Sequence, residues 1–152
     1  YGFKGVALRF LTVYGAKTNL THSIMSLIHK AAKKQDPYEI WGNGNQERGF
    51  TYMDDIVDGM ILAAEKDVHD CSAINLGVTE RHSINDVAEM IFQLMEWHPK
   101  KINHRMDMPV GVKSRALDIR IAEERLGWKP KMEFRDGLKH TINWYRARLP
   151  YG

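Results

Sequence analysis

The stretch WGNGNQERGFTYMDD, residues 41–55, contains the residue types best suited to ligand chemistry. Arg48 follows a glycine-rich turn and precedes a run of β-forming residues, so its side chain can be fixed at the edge of a cleft. A guanidinium binds phosphate through two parallel N–H donors, which makes Arg48 a candidate phosphate ligand. Arginines near surface turns are common, however, and no nucleophile with a neighbouring base accompanies this one. The stretch therefore predicts binding and leaves the ligand open.

The sequence lacks the residue spacing that nucleotide loops, calcium loops and histidine metal sites require. GNGN is followed by neither Gly-Lys-Ser/Thr nor a helix start, which excludes a P-loop and a Gly-x-Gly-x-x-Gly dinucleotide fingerprint. Asp54 and Asp55 lack the alternating oxygen ligands of a calcium loop, and we interpret them as a helix cap. His22 and His29 would lie about 10 Å apart along one helix, too far to share a metal ion. We expect no catalytic residue and no metal site.

Composition indicates an ordinary globular chain. Its 152 residues suit one domain, with 43% hydrophobic and 27% charged residues. No apolar run approaches the roughly 20 residues that a membrane span needs, and no signal peptide is recognisable. The single cysteine, Cys71, cannot form an intrachain disulfide, so we interpret it as structural and expect a reducing, cytoplasmic location. The chain begins without Met and almost inside a strand, which suggests a fragment.

Basic residues are concentrated towards the C-terminus. From Pro99 onward the chain carries 13 of its 22 Lys/Arg but only 6 of its 19 Asp/Glu. Such a region can bind nucleic acid or surround a phosphate-bearing ligand. The basic residues are spaced along predicted helices and are not interleaved with exposed aromatic residues, which disfavours nucleic acid.

The elements that must position Arg48 make an α/β chain. Residues 5–15 read as one buried strand, and residues 38–41 and 48–53 as two strands, possible arms of a hairpin. Helices are predicted after caps at Thr21 or Ser23, at Asp54 or Asp55, at Ser83 with Asp86, and at Asp118. Strands at 71–77 and 101–106, a helix end at Gly127 and a last helix over 134–148 complete the prediction.

Four segments, in order along the chain, resemble the C-terminal half of the extended short-chain dehydrogenase/reductase family, the NAD-dependent nucleotide-sugar epimerases and dehydratases. They are LRFLTVYG, WGNGNQERGFTYMDDIVDGMILA, INLGVTERHSINDVAEMI and RALDIRIAEERLGWKPKMEFRDGLKHTINWYR. The resemblance covers nearly the whole chain. It implies part of an NAD(P)-binding Rossmann-like fold with an incomplete sheet, in which residues 1–152 form the small substrate-binding C-terminal domain and the N-terminal dinucleotide-binding half is absent.

The resemblance also implies a set of substrate-binding residues. Arg48 matches the family's arginine that contacts the nucleotide diphosphate, and Arg115 matches a second arginine near the phosphates and ribose. At the position of Thr12 the family carries Asn, so a hydroxyl would replace an amide there. The full implied set is Thr12, Asn19, Leu20, Trp41, Arg48, Lys113 and Arg115, with Trp41 beside the base and Asn19 and Leu20 at the start of the first helix.

The family's nucleotide loop and its Tyr-x-x-x-Lys pair lie in the half that has no counterpart here, and Tyr1 and Lys4 have the wrong interval to be that pair. The resemblance therefore implies an NAD- or NADP-dependent parent enzyme, while this chain alone would bind the nucleotide diphosphate of a nucleotide sugar without catalysis and without a cofactor. The expected protein partner is the missing half or a second copy. The alternatives are a truncated relic that acts as a binding or oligomerisation module, and a basic nucleic-acid-binding domain.

Overall fold

A computed structural model gives the structure of residues 5–66, 68, 70–114 and 117–148. These residues form five helices and eight short strands in the order ββαβββαββαβαα. The helices are α1 (Ser23–Ala32), α2 (Met53–Glu65), α3 (Ile84–Met95), α4 (Arg120–Leu126) and α5 (Phe134–Arg146). The strands are β1 (Ala7–Phe10), β2 (Val13–Tyr14), β3 (Tyr38–Trp41), β4 (Glu47–Arg48), β5 (Thr51–Tyr52), β6 (Ala73–Leu76), β7 (His82–Ser83) and β8 (Ile102–Arg105). The predicted α/β class is confirmed.

The chain divides into two compact units, each built from separate stretches. The first unit comprises residues 1–14, 49–81 and 116–134. In it β1 pairs in parallel with β6, and β2 pairs in parallel with β5. Its core gathers side chains from β6, α2 and α4 with Trp128, whose indole nitrogen donates to the carbonyl oxygen of Asp55 at 2.9 Å.

The second unit comprises residues 15–48, 82–115 and 135–152. Here β3 pairs in parallel with β8, and β4 pairs antiparallel with β7. The buried face of α1 carries Ile24, Leu27, Ile28 and Ala31, as the helical spacing predicts. Helix α1 packs against α3, which begins at the predicted capping box between Ser83 and Asp86.

Two strand predictions were wrong. Residues 5–15 do not make one buried strand, because Thr12 adopts a φ of +20° between β1 and β2, and three of the four β1 residues are exposed. Residues 38–41 and 48–53 do not make a hairpin either. The first segment pairs with β8, and the second divides into β4 and β5, which pair with β7 and β2. Segments that are close together in the sequence therefore pair with strands that are far from them in the sequence.

Three predicted caps were also wrong. Helix α1 begins after His22 and α2 after Tyr52, in both cases without a side-chain cap. Asp55 is instead buried and joins distant segments, because its carboxylate accepts the backbone N–H of Lys131 at 3.0 Å and of Met132 at 3.1 Å. The N-cap of α4 is Ile119, one residue after Asp118. Gly127, with a φ of +66°, ends α4 as predicted.

Candidate functional site

The second unit contains a cleft of about 480 Å³, a size typical of small-molecule sites. It brings together three of the predicted site residues, Leu20, Trp41 and Arg48. The remaining lining comes from α1 and the turn before it, from β3, from the residue before β4, from the start of α3 and from the loop after β8. These residues are Thr21, Ser23, Ser26, Leu27, Lys30, Glu39, Gln46, Ile84, Pro109 and Val110.

Helix α1 presents one face to the cleft. Ser23, Ser26, Leu27 and Lys30 follow the i, i+3, i+4, i+7 spacing of residues that share a helix face. The first backbone N–H groups of a helix have no intrahelical acceptor, and no side chain caps them in α1. Because such N–H groups and the helix dipole favour negative charge, this end of the cleft suits an anion.

Arg48 contributes a positive charge to the cleft. Its guanidinium donates to two backbone carbonyl oxygens, that of Glu47 at 2.7 Å and that of Val110 at 2.8 Å. Within the described ranges no carboxylate lies at salt-bridge distance from it. Carbonyl oxygens orient the guanidinium without neutralising it, so its charge remains available to an anionic ligand.

The glycine turn fixes the loop that holds Arg48. Gly42 has a φ of +66°, and a Cβ at this position would lie 2.3 Å from Cγ1 of Val110. The absence of a side chain therefore lets residue 110 approach the turn closely enough for its carbonyl oxygen to meet Arg48.

The remainder of the turn is tied to the start of α3. The Asn85 side-chain amide donates to the carbonyl oxygen of Asn43 and to Oδ1 of Asn45, each at 3.0 Å, and its backbone N–H donates to the Gly44 carbonyl oxygen at 3.0 Å. Gln46 closes the turn by donating to the Trp41 carbonyl oxygen at 3.0 Å. Trp41 and Arg48 thus lie at the two ends of one hydrogen-bonded segment.

A cluster of ionic side chains lines the cleft beyond Trp41. Lys30 Nζ donates to the backbone carbonyl oxygen of Glu39 at 2.9 Å, and burial lowers the pKa of Lys30 while Glu39 partly opposes that shift. The Glu39 carboxylate accepts from Arg105 Nη1 at 3.1 Å. Arg105 is itself held by Asp107 through two hydrogen bonds of 2.9 and 2.7 Å. Among the described residues, the cleft thus carries two cations, Arg48 and Lys30, and a carboxylate that a third cation, Arg105, offsets.

The other predicted residues lie elsewhere. Asn19 precedes the cleft residues of α1, and its Oδ1 accepts the backbone N–H of Thr21 at 3.0 Å. Lys113 is exposed, and its carbonyl oxygen accepts the backbone N–H of Glu47 at 2.9 Å. Thr12 belongs to the first unit and is not among the residues that line the cleft. Arg115 lies outside the described residues.

The sequence prediction missed Lys30, Glu39, Gln46 and the α1 serines. Helical spacing could have identified the α1 residues, since Ser23, Ser26 and Lys30 flank the apolar face. Alternation along β3 could have identified Glu39, which shares a face with Trp41.

No group of three or more His, Cys, Asp or Glu residues that could hold a metal ion occurs among the residues for which the structure is given. In the same part of the chain, no helix is both long and apolar enough to cross a membrane.

Residues 1–141 match the model of a protein family described as GDP-mannose 4,6 dehydratase. Among curated relatives, GDP-mannose 3,5-epimerase of Arabidopsis thaliana is 32% identical over 146 residues, which are 93% of this chain and 37% of that protein. UDP-glucuronate 4-epimerase of Thermodesulfobacterium geofontis is 34% identical over 153 residues, 98% of this chain and 45% of that protein. The chain therefore spans less than half the length of these relatives.

Solved structures of epimerases also match the chain. UDP-glucose 4-epimerase from Thermotoga maritima, crystallised with UDP-glucose, matches with a TM-score of 0.90 and 26% identity, covering 99% of this chain and 48% of that chain. UDP-glucuronic acid 4-epimerase from Bacillus cereus, in complex with UDP-glucuronic acid and NAD, matches with a TM-score of 0.85 and 30% identity, covering 93% and 45%. These proteins have the Rossmann-like fold of extended short-chain dehydrogenases/reductases.

The chain belongs to this family of NAD-dependent nucleotide-sugar epimerases and dehydratases, the extended short-chain dehydrogenases/reductases. The resemblance drawn from the sequence is confirmed.

Proposed function

We propose that residues 1–152 act as the substrate-binding domain of a nucleotide-sugar epimerase or dehydratase, and that the cleft of the second unit binds the nucleotide diphosphate. The observation that carries this proposal is the pairing, in one cleft, of the Arg48 guanidinium with the uncapped start of α1. Both features favour the negative charge of a diphosphate. Trp41, 46% exposed on the cleft wall, offers a ring surface to the base.

In this proposal the chain positions the substrate for the reaction. Holding the diphosphate at Arg48 and α1 orients the attached sugar, and orientation of this kind lowers the entropic part of the barrier. The relatives from Bacillus cereus are described in complex with NAD, and in such enzymes this cofactor supplies the transient oxidation of the sugar when it is bound. We assign no cofactor-binding role to the cleft residues, and we propose that catalysis requires the portion of the relatives that this chain does not span.

The test is calorimetric titration of the chain with UDP, GDP, dTDP and CDP. We expect at least one diphosphate to bind, and Arg48→Ala to weaken that binding about 10- to 100-fold, since a hydrogen bond to a charged group contributes roughly 1.5–3 kcal/mol. Arg48→Lys keeps the positive charge but loses the planar guanidinium, so its affinity should lie between those of the parent chain and Arg48→Ala.

Arg135→Ala is the matched control. Arg135 is exposed in the same unit and, among the described residues, donates to the Gln93 side chain at 3.2 Å. It does not line the cleft, so its removal should leave the affinity unchanged. Absence of binding for all four diphosphates, or equal affinity for Arg48→Ala and the parent chain, would refute the proposal.

One observation favours an additional binding role for the first unit. Val57, Met60 and Ile61 expose between 46 and 50% of their surface at i, i+3, i+4 spacing on α2, and Phe10 at the end of β1 is 46% exposed. Exposed apolar surface of this kind marks an interaction site. We propose that it contacts either the remaining portion of an enzyme of this family or a second copy of the chain. Sedimentation of the chain alone tests the second partner, since a monomer would exclude it.

A further inference from the structure

We propose that Lys30 and Glu39 form a base-recognition end of the cleft and that they select guanine. The inference rests on the proposed function, because it concerns which nucleoside diphosphate the same cleft binds. It adds two residues to which the resemblance assigns no role.

The first step is the position of Glu39 relative to Trp41. The two residues are i and i+2 on β3, so their side chains leave the same face of the strand about 6.6 Å apart, and both line the cleft. A base stacked on the Trp41 ring would therefore have one edge directed towards the Glu39 carboxylate. Lys30 meets this strand at the same residue, since its Nζ lies 2.9 Å from the Glu39 carbonyl oxygen.

The second step is the free hydrogen-bonding capacity at this end. An ammonium group has three N–H donors, and Lys30 uses one of them on the Glu39 carbonyl oxygen. A carboxylate offers about four acceptor sites, and Arg105 occupies one of those of Glu39. Arg105 is fixed in turn by Asp107, so the carboxylate is held in place while acceptor sites remain. An ammonium donor and a two-oxygen acceptor thus both belong to this end of the cleft.

The third step is the match to a base edge. Guanine presents a carbonyl oxygen, O6, next to two adjacent donors, N1–H and the N2 amino group. That order fits an ammonium donor beside a carboxylate that accepts two bonds. Uracil and thymine present a single N–H between two carbonyl oxygens, which would meet the carboxylate unfavourably. Cytosine and adenine present one amino group beside a ring nitrogen that accepts. Among these bases, only guanine has two adjacent N–H donors, one for each oxygen of a carboxylate.

The fourth step is the distance from the phosphate end. Ser23 and Lys30 are seven residues apart on α1, which separates them by about 10 Å along the helix axis. The uncapped N–H groups lie at the Ser23 end, and Lys30 with Glu39 lies at the other. A ribose can span such an interval between a bound diphosphate and a bound base, so both ends can act on one ligand.

The test compares GDP with IDP, UDP, CDP and ADP by calorimetry on the intact chain. IDP lacks only the N2 amino group, so the comparison probes the second acceptor of Glu39 without any mutation. We expect GDP to bind most tightly and IDP to bind about tenfold more weakly, because a site built to accept a hydrogen bond rejects a ligand that lacks the donor.

Two variants and two controls complete the design. Glu39→Gln should lower the affinity for GDP about tenfold or more and remove the difference in affinity between GDP and IDP. Lys30→Met should lower the affinity for GDP to a similar degree. Lys33→Met, at the end of α1 outside the cleft, and Glu124→Gln, exposed on α4 in the other unit, should leave every affinity unchanged.

The two proposals fail in different ways. If no diphosphate binds, the proposed function fails and this inference fails with it. Suppose that a diphosphate binds and that Arg48→Ala lowers its affinity. If UDP, CDP or ADP then binds as tightly as GDP, only the guanine inference is overturned. Equal weakening of all diphosphates by Glu39→Gln would also overturn it, because the carboxylate would then shape the cleft without reading the base.

Discussion

Substitution of Gly42 by Ala tests whether the glycine turn sets the position of Arg48. A Cβ at Gly42 would lie 2.3 Å from Val110 Cγ1, whereas carbon atoms in contact prefer about 3.5–4.0 Å. Cγ1 of Val110 must then move by more than about 1 Å, either by rotation about χ1 or together with the backbone of residue 110. We expect the backbone to retreat, and the hydrogen bond from Arg48 Nη2 to the Val110 carbonyl oxygen, now 2.8 Å, would then lengthen beyond the usual limit of about 3.2 Å.

Two contributions make up the expected loss of stability. A non-glycine residue in the left-handed conformation costs about 1–2 kcal/mol, and Gly42 has a φ of +66°. Loss of this solvent-exposed hydrogen bond adds about 0.5–1.5 kcal/mol. Gly42→Ala should therefore lower the free energy of unfolding by roughly 1.5–3.5 kcal/mol and weaken nucleoside diphosphate binding about tenfold or more, since Arg48 loses its tether.

Gly127→Ala provides a control with the same backbone angle and no collision. Gly127 also has a φ of +66°, but a Cβ there would meet nothing within 4 Å. It ends α4 in the first unit and is not among the residues that line the cleft. This variant should lose only the conformational part, about 1–2 kcal/mol, and bind ligand as the parent chain does.

The assays are urea denaturation for the free energy of unfolding and calorimetry for the affinity. The reasoning would be refuted by a Gly42→Ala chain that binds the ligand with unchanged affinity, because the loop would then not position Arg48. Equal loss of stability in both glycine variants would show that the collision with Val110 is relieved without cost.

Three further predictions concern the packing around the cleft and in the first unit. Asp55→Ala should lower the free energy of unfolding by roughly 2–5 kcal/mol in urea denaturation, because two part-buried backbone N–H groups lose their acceptor, and Asp55→Asn should lose less. Hydrogen bonds from Ser72 and then Arg125 lower the Asp70 pKa from 3.8 to about 2, so this carboxylate stabilises the fold above its unfolded pKa and ceases to do so as the pH falls towards 2. The urea midpoint of Asp70→Asn should accordingly lie below that of the parent chain at about pH 6 and approach it at about pH 3; a constant difference would contradict the assignment. Ser83→Ala should cost about 0.5–2 kcal/mol through loss of the α3 cap, seen as a lower thermal midpoint, and Ser83→Thr should restore most of it.

Periodic and local features were predictable from the sequence. The buried face of α1 follows from its 3.6-residue spacing, and the capping box of α3 from the interval between Ser83 and Asp86. The end of α4 follows from Gly127. The motif resemblance correctly indicated the family and directed attention to Arg48, Trp41 and Leu20, which the structure gathers in one cleft.

Long-range features were not predictable in the same way. The segments around Trp41 and Arg48 suggested a hairpin because they are close in sequence, yet their strands pair with β8 and β7. Asp55 looked like a cap because its local position allows one, but its carboxylate binds backbone groups at residues 131 and 132. Glu39 meets Lys30, nine residues before it, and Arg105, 66 residues after it, and local sequence does not predict these contacts.

The interleaving of the two units has a consequence for any attempt to dissect the chain. Each unit is assembled from three separate stretches, and the stretches of one alternate along the chain with those of the other. The cleft alone draws on residues 20–48 and 84–110, with a segment of the first unit between them. No contiguous subfragment can therefore contain one unit without interrupting the other. A nick or an insertion in a surface loop would preserve these pairings. A truncation at the N-terminus would instead remove a stretch of the first unit, and a truncation at the C-terminus a stretch of the second.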